Sequence, residues 1–153
     1  MTDILPTYRC FDDALELIEL RVKEDPTITR HDFTIILVHG ICVGDDGTRY
    51  AHAWVEEAGM VWDAGILNGQ RVYFSFARAE YYEAKHVEDS TRYTLRDIVR
   101  ENRRSGNYGP WNPEYQTLCG KSQRVLGKSA ATGPSSRATS RSQKLPKKVA
   151  QNP

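Results

Sequence analysis

Apolar side chains near the start of the chain fall at Phe11, Ala14, Leu15, Ile18 and Val22. These steps of three and four align them on one face of a helix. Asp12, Asp13, Glu16 and Glu19 lie largely outside that stripe, and acids in a first turn suit the positive end of the helix dipole. The helix should stop before Pro26, because a residue ahead of a proline avoids helical angles. No strong cap stands just before Cys10; Thr7 is the candidate if the helix begins a turn earlier.

The pattern then changes to strands. Phe33 to Val43 is rich in Ile, Val and Leu, as a buried strand is. Asp45-Asp46-Gly47 marks a turn, Arg49 to Glu56 the next strand, Glu57-Ala58-Gly59 a second turn, and Met60 to Ala64 a third strand. Asn68-Gly69, the best hairpin signal in the chain, leads into Arg71 to Phe76. Ala77 to about Val87 and Thr94 to Arg104 look helical, with Ser90 or Thr91 available to begin the second helix and Gly106 to end it. Residues 107–119 are too proline-rich for regular structure, and their Tyr108, Trp111 and Tyr115 are expected to pack back on the domain. The predicted fold is α+β: an N-terminal helix on an antiparallel β meander, followed by helices.

Charge divides the chain in two. The stretch from Lys121 onward holds eight basic side chains and no acidic one, leaving 13 of the 21 basic residues against all 20 acids in the first 120 residues. Those first 120 residues therefore carry a net charge of about −7. From about Gly120 the sequence is Ser-, Thr-, Gly-, Pro- and Lys-rich, and buries too little apolar surface to offset the cost of ordering. The expected organisation is a domain over 1–119 and a disordered basic tail over 120–153. The tail is a candidate for weak nucleic-acid or polyanion contact through counterion release, although it has no aromatic residue for base stacking.

No apolar run is long enough to cross a bilayer, and Met1 to Pro6 carry neither the basic region nor the apolar core of a secretory signal. A cytoplasmic location is the expectation. Cys10, Cys42 and Cys119 lie far apart and form neither a disulfide framework nor a zinc-ligand spacing.

Candidate chemistry centres on one hairpin. A turn at Glu57 and Ala58 would set Val55 against Met60, Trp54 against Val61, and His52 against Asp63. Directly opposed β-carbons stand roughly 4.5–5.5 Å apart, within reach of a carboxylate–imidazole hydrogen bond. Such a bond orients the ring and stabilises the imidazolium, as the acid of a catalytic triad does. Cys10, at the start of the first helix, is where unpaired N–H groups and the helix dipole favour a thiolate.

The blocks Cys10-Phe11-Asp12-Asp13-Ala14-Leu15-Glu16-Leu17, Ala51-His52-Ala53-Trp54-Val55-Glu56 and Met60-Val61-Trp62-Asp63-Ala64 together resemble the transglutaminase-like, papain-related cysteine hydrolase superfamily. The resemblance spans roughly residues 8–76. It implies a transglutaminase-like core in which Cys10 attacks a carboxamide, His52 acts as base and then acid, and Asp63 orients His52. The implied activity is thiol-dependent acyl transfer from a protein or peptide carboxamide through a thioester, with water or an amine as acceptor, so protease, deamidase and transglutaminase remain open. Tyr8 is a candidate second oxyanion donor and Trp54 a candidate wall of a substrate groove. No metal or organic cofactor is implied. A non-catalytic binding module on the same fold is the competing expectation.

Other polar residues attract simpler readings. His39 and Cys42, three apart in a strand, should face opposite sides and pack in the core. Glu56 and Glu57 are expected to be solvent-exposed at a turn. His86, beside Glu83 and Lys85, should lie on the surface, and Cys119 has no evident chemical partner.

Overall fold

The computed structural model describes residues 9–30 and 33–119. Helix α1 (Cys10–Glu24) is followed by a 3₁₀ turn (Pro26–Arg30) and by strands β1 (Ile35–Val43), β2 (Arg49–Glu57), β3 (Met60–Leu67) and β4 (Gln70–Ala77). Helix α2 (Arg78–Ala84), strand β5 (Asp89–Tyr93) and helix α3 (Leu95–Ser105) complete the labelled elements. The five strands form one antiparallel sheet in the order β4-β3-β2-β1-β5. The expected basic tail, Thr7 and Tyr8 lie outside the described residues.

Two apolar layers sandwich the sheet. On one face Phe11, Ala14, Leu15 and Ile18 of α1 pack on Ile35, Leu37, Ile41, Ala51, Ala53 and Val55, joined by Tyr93, Ile98, Trp111 and Tyr115. Fully burying each of the larger side chains stabilises the fold by about 1.5–3 kcal/mol, which is why the helical stripe determines how α1 lies on the sheet. On the other face Ile36, Val38, Cys42, Trp54 and Val61 pack with Tyr81 of α2. Strands buried on both faces need no polar alternation, and β1 accordingly keeps eight of its nine residues buried. Phe33 is excluded from it and stands 82% exposed.

The hairpin turns differ from expectation in one consequential way. The β2–β3 turn consists of Ala58 and Gly59, both at positive φ (52° and 78°), and it pairs Glu57 with Met60 and Val55 with Trp62. Both central residues of such a turn must adopt left-handed angles, which glycine accepts at little cost and Glu57 would not. The turn therefore sits one residue later than expected, and the register moves by two. His52 and Asp63 are not directly opposed, but a two-residue shift preserves the face to which each side chain points.

Strand β5 was not expected. Asp89-Ser90-Thr91-Arg92-Tyr93 has no apolar alternation, yet it pairs with β1 from Leu37–Tyr93 to Ile41–Asp89. Ser90 and Thr91 are therefore strand residues. Helix α3 is instead capped by Thr94, whose hydroxyl accepts from the N–H of Asp97 while the Asp97 carboxylate accepts from the Thr94 N–H. This reciprocal cap contributes about 1 kcal/mol. Gly106 ends the helix at φ 72°, as expected. Residues 113–119 are helical rather than irregular; Trp111 and Tyr115 are buried, whereas Tyr108 is 46% exposed. Among the described residues no helix is long and apolar enough to cross a membrane.

Candidate active site

Strands β2 and β3 part early. Their pairing stops at Val55–Trp62, whereas β3 and β4 remain paired along their whole length from Met60–Ala77 to Leu67–Gln70. His52 of β2 and Asp63 of β3 flank the opening. The ring Nε2 lies 2.9 Å from Oδ2 and 3.1 Å from Oδ1 of Asp63, so the two residues meet as diagonal neighbours. Both are almost buried, 9% and 8% exposed.

Cys10, also 9% exposed, is the first residue of α1 and belongs to the apolar layer on the helix side of the sheet. Its thiol is close enough to His52 to help raise the pKa of the imidazole. Nε2 is taken by Asp63, which leaves Nδ1, buried and without a hydrogen-bond partner among the described residues, as the ring nitrogen available to sulfur. The three residues named from sequence therefore converge, in the order thiol, imidazole, carboxylate. Arg9, which precedes the helix, makes no side-chain cap. The first-turn N–H groups of α1 thus receive no hydrogen bond from the Arg9 side chain, and such groups are suited to an anion.

Electrostatics within the site are dominated by one pair. Burial alone would push the His52 imidazole toward its neutral form, but the Asp63 carboxylate, and then Cys10, outweigh burial and raise its pKa. Burial likewise opposes ionisation of Asp63, and His52, Tyr81 and Lys85 overcome it to hold the carboxyl below its ordinary range. The phenol of Tyr81 donates to Oδ2 of Asp63 at 2.7 Å. Tyr50 lies beside the site with its ring 6.1 Å from that of His52; burial, Cys42, Asp63 and Cys10 push its pKa up to about 12. Next to Cys10 on the helix, Asp13 is buried rather than exposed. Burial raises its pKa against the opposing pull of Arg71 and Arg9, with Arg71 Nη1 3.0 Å from Oδ1.

Trp54 is fully buried, its ring 6.1 Å from that of His52, and its N–H donates to Glu56 at 3.2 Å. It shields the imidazole from behind and does not line an open groove. Glu56 overturns the expectation of a solvent-exposed turn residue. It is 4% exposed and also accepts from Tyr82 (2.7 Å) and Arg92 (2.5 Å), tying α2 and β5 to β2. Glu57 is partly buried and holds Arg21 of α1 at 3.0 Å.

His39 and Cys42 face opposite layers and are both fully buried. His39 is ringed by Phe11, Tyr93 and Trp111 with centroids 4.8–4.9 Å away, and burial lowers its pKa to about 3. Cys42 is held protonated by burial, its pKa raised to about 12. Cys119 packs at the edge of the α1 layer, close enough to feel the charge of Cys10. His86 is exposed. Among the described residues no group of three His, Cys, Asp or Glu side chains is arranged to hold a metal ion.

Sequence reasoning did not single out Tyr81 or Tyr50, and it read Glu56 as a solvent-exposed turn residue. The signal for Glu56 was present in its alternation with Trp54 and His52 on one face of β2; no local pattern could have pointed Tyr81 at Asp63. Compared with known proteins, the chain matches no family model, no curated protein and no solved structure.

Proposed function

We propose that the protein is a cysteine-nucleophile amide acyltransferase or hydrolase with a transglutaminase-like, papain-related core, in which Cys10, His52 and Asp63 form the triad. The observation that carries this reading is the imidazole of His52 held by Asp63 at 2.9 Å on Nε2 while the thiol of a cysteine that opens a helix lies close enough to raise the pKa of the same ring. A cysteine could reach a buried histidine by chance packing. A buried carboxylate aligned behind the same ring makes the arrangement directional.

The chemistry follows from the order of groups. His52 holds the Cys10 proton as an imidazolium beside the thiolate, sulfur attacks the carbonyl carbon of a carboxamide, and Asp63 stabilises the imidazolium. The raised proton affinity of His52 favours holding that proton. The N–H groups at the start of α1 are available to stabilise the developing oxyanion. Collapse of the tetrahedral species breaks the C–N bond, and the imidazolium protonates the departing ammonia or amine. The resulting thioester passes to water or to an amine, with His52 again as base.

The test is to incubate the protein with glutamine-bearing peptides and follow ammonia release and hydroxylamine capture, with Cys10→Ser as control. Cys10-dependent product supports the reading. Peptide binding that persists unchanged in Cys10→Ser, without turnover in either protein, favours the non-catalytic binding module.

A further inference from the structure

Asp63 can do its work only if its carboxylate stays in one orientation. The terminal torsion of an aspartate is broad and roughly two-fold, and both oxygens already lie near Nε2 of His52, at 3.1 and 2.9 Å. Nothing in the pair itself prevents the carboxylate from turning. The third contact does: the Tyr81 hydroxyl sits 2.7 Å from Oδ2, and because an ionised carboxylate only accepts, the phenol must donate.

Tyr81 is itself firmly held. It is 2% exposed, with Trp54 and Phe76 packed at ring-centroid distances of 5.4 and 5.6 Å and the Lys85 ammonium 6.0 Å from its ring centre. Burial, and then the charge and hydrogen bond of Asp63, keep the phenol protonated far above the ordinary range. Its successor Tyr82 donates to Glu56 at 2.7 Å. Two consecutive residues of α2 thus reach two buried carboxylates on neighbouring strands, so the docking of α2 sets the geometry of the acid behind His52.

We propose that Tyr81 is a positioning residue: its hydroxyl fixes the Asp63 carboxylate on the Nε2 side of His52 and so keeps Nδ1 turned toward Cys10. This inference rests on the triad reading above. The groups that bear on Asp63 electrostatically are His52 and Tyr50 of β2, Tyr81 of α2, Lys85 just after α2, and Cys42 of β1.

The experiment follows the Asp63 side-chain carboxyl carbon by NMR titration in the wild type, in Tyr81→Phe and with 3-fluorotyrosine at position 81, alongside the rate of Cys10 alkylation. Tyr81→Phe keeps the ring and removes one donor, so the Asp63 midpoint should rise by about one pH unit and Cys10 alkylation should slow several-fold. The fluorinated phenol, a stronger donor of nearly the same size, should move the midpoint down and remains informative if Tyr81→Phe does not fold. An unmoved midpoint in the folded variants overturns the inference. A moved midpoint with unchanged alkylation does so as well, since the bond would then tune the acid without reaching the thiol. Failure of the triad reading looks different: alkylation of Cys10 would be insensitive to His52→Ala, whatever Asp63 does.

Discussion

The indole of Trp54 fills the space beside Gly40 that any side chain there would need: a β-carbon on Gly40 would stand 2.3 Å from Cη2 and 2.8 Å from Cζ3. Gly40 is also the residue opposite His52 in the β1–β2 register. The absent side chain on β1 therefore lets the indole lie next to the imidazole. Gly40→Ala should cost about 1–3 kcal/mol through overpacking, seen as a lower urea midpoint. It should also perturb the His52 ring resonances, because a displaced Trp54 moves its neighbour.

Glu56 anchors three elements through four side chains, the last being Arg78 at 3.5 Å. Glu56→Ala would leave the buried Trp54 N–H without its acceptor and take the partner from Arg92, whose side chain is 41% exposed, a loss of about 1–3 kcal/mol. Chemical denaturation measures it directly. Glu57→Ala, at a more exposed ion pair with Arg21, should cost about 1 kcal/mol or less.

His39 should make the fold acid-sensitive. Its folded pKa is depressed to about 3 from an ordinary 6.5, so between those values the unfolded chain binds the extra proton and stability falls as pH falls. Unfolding free energy measured from pH 7 to 4 should drop, and His39→Leu should flatten that limb.

The His52–Asp63 pair has its own window, with opposite signs on its two sides. The folded pKa of His52 is raised, so its contribution is complete below the ordinary 6.5 and is lost as pH climbs through the folded value. The folded pKa of Asp63 is lowered, so its contribution is complete above the ordinary 3.8 and is lost as pH falls through the folded value. In a His39→Leu background, stability should therefore decline on the alkaline side. An added Asp63→Asn substitution should remove that decline and reduce turnover by roughly 10²- to 10⁴-fold.

Much of this architecture was legible in periodicity. The α1 stripe from Phe11 to Ile18 had to face the sheet, and Asn68-Gly69 had to turn β3 into β4. The site was legible through parity: His52 and Asp63 occupy the same face in either register, so a misplaced turn left their meeting intact. What escaped were features whose stabilisation comes from distant partners. Strand β5 has no apolar pattern because it is held by pairing with β1 and by the Arg92–Glu56 bond, and only Tyr93 of its five residues is buried. Glu56 looked like a turn acid because its three hydrogen-bond donors, apart from Trp54, come from α2 and β5. Tyr81 reaches Asp63 only after α2 docks.

The central claim is that His52 governs the reactivity of Cys10. Its most direct test is the rate of iodoacetamide modification of Cys10 against pH, resolved from Cys42 and Cys119 by peptide mass spectrometry, in the wild type and in His52→Ala. The account predicts that Cys10 of the wild type reacts well below pH 8 and that the substitution slows it by about tenfold or more at pH 6. Superimposable profiles for the two proteins, with Cys10 no faster than Cys119, would contradict it.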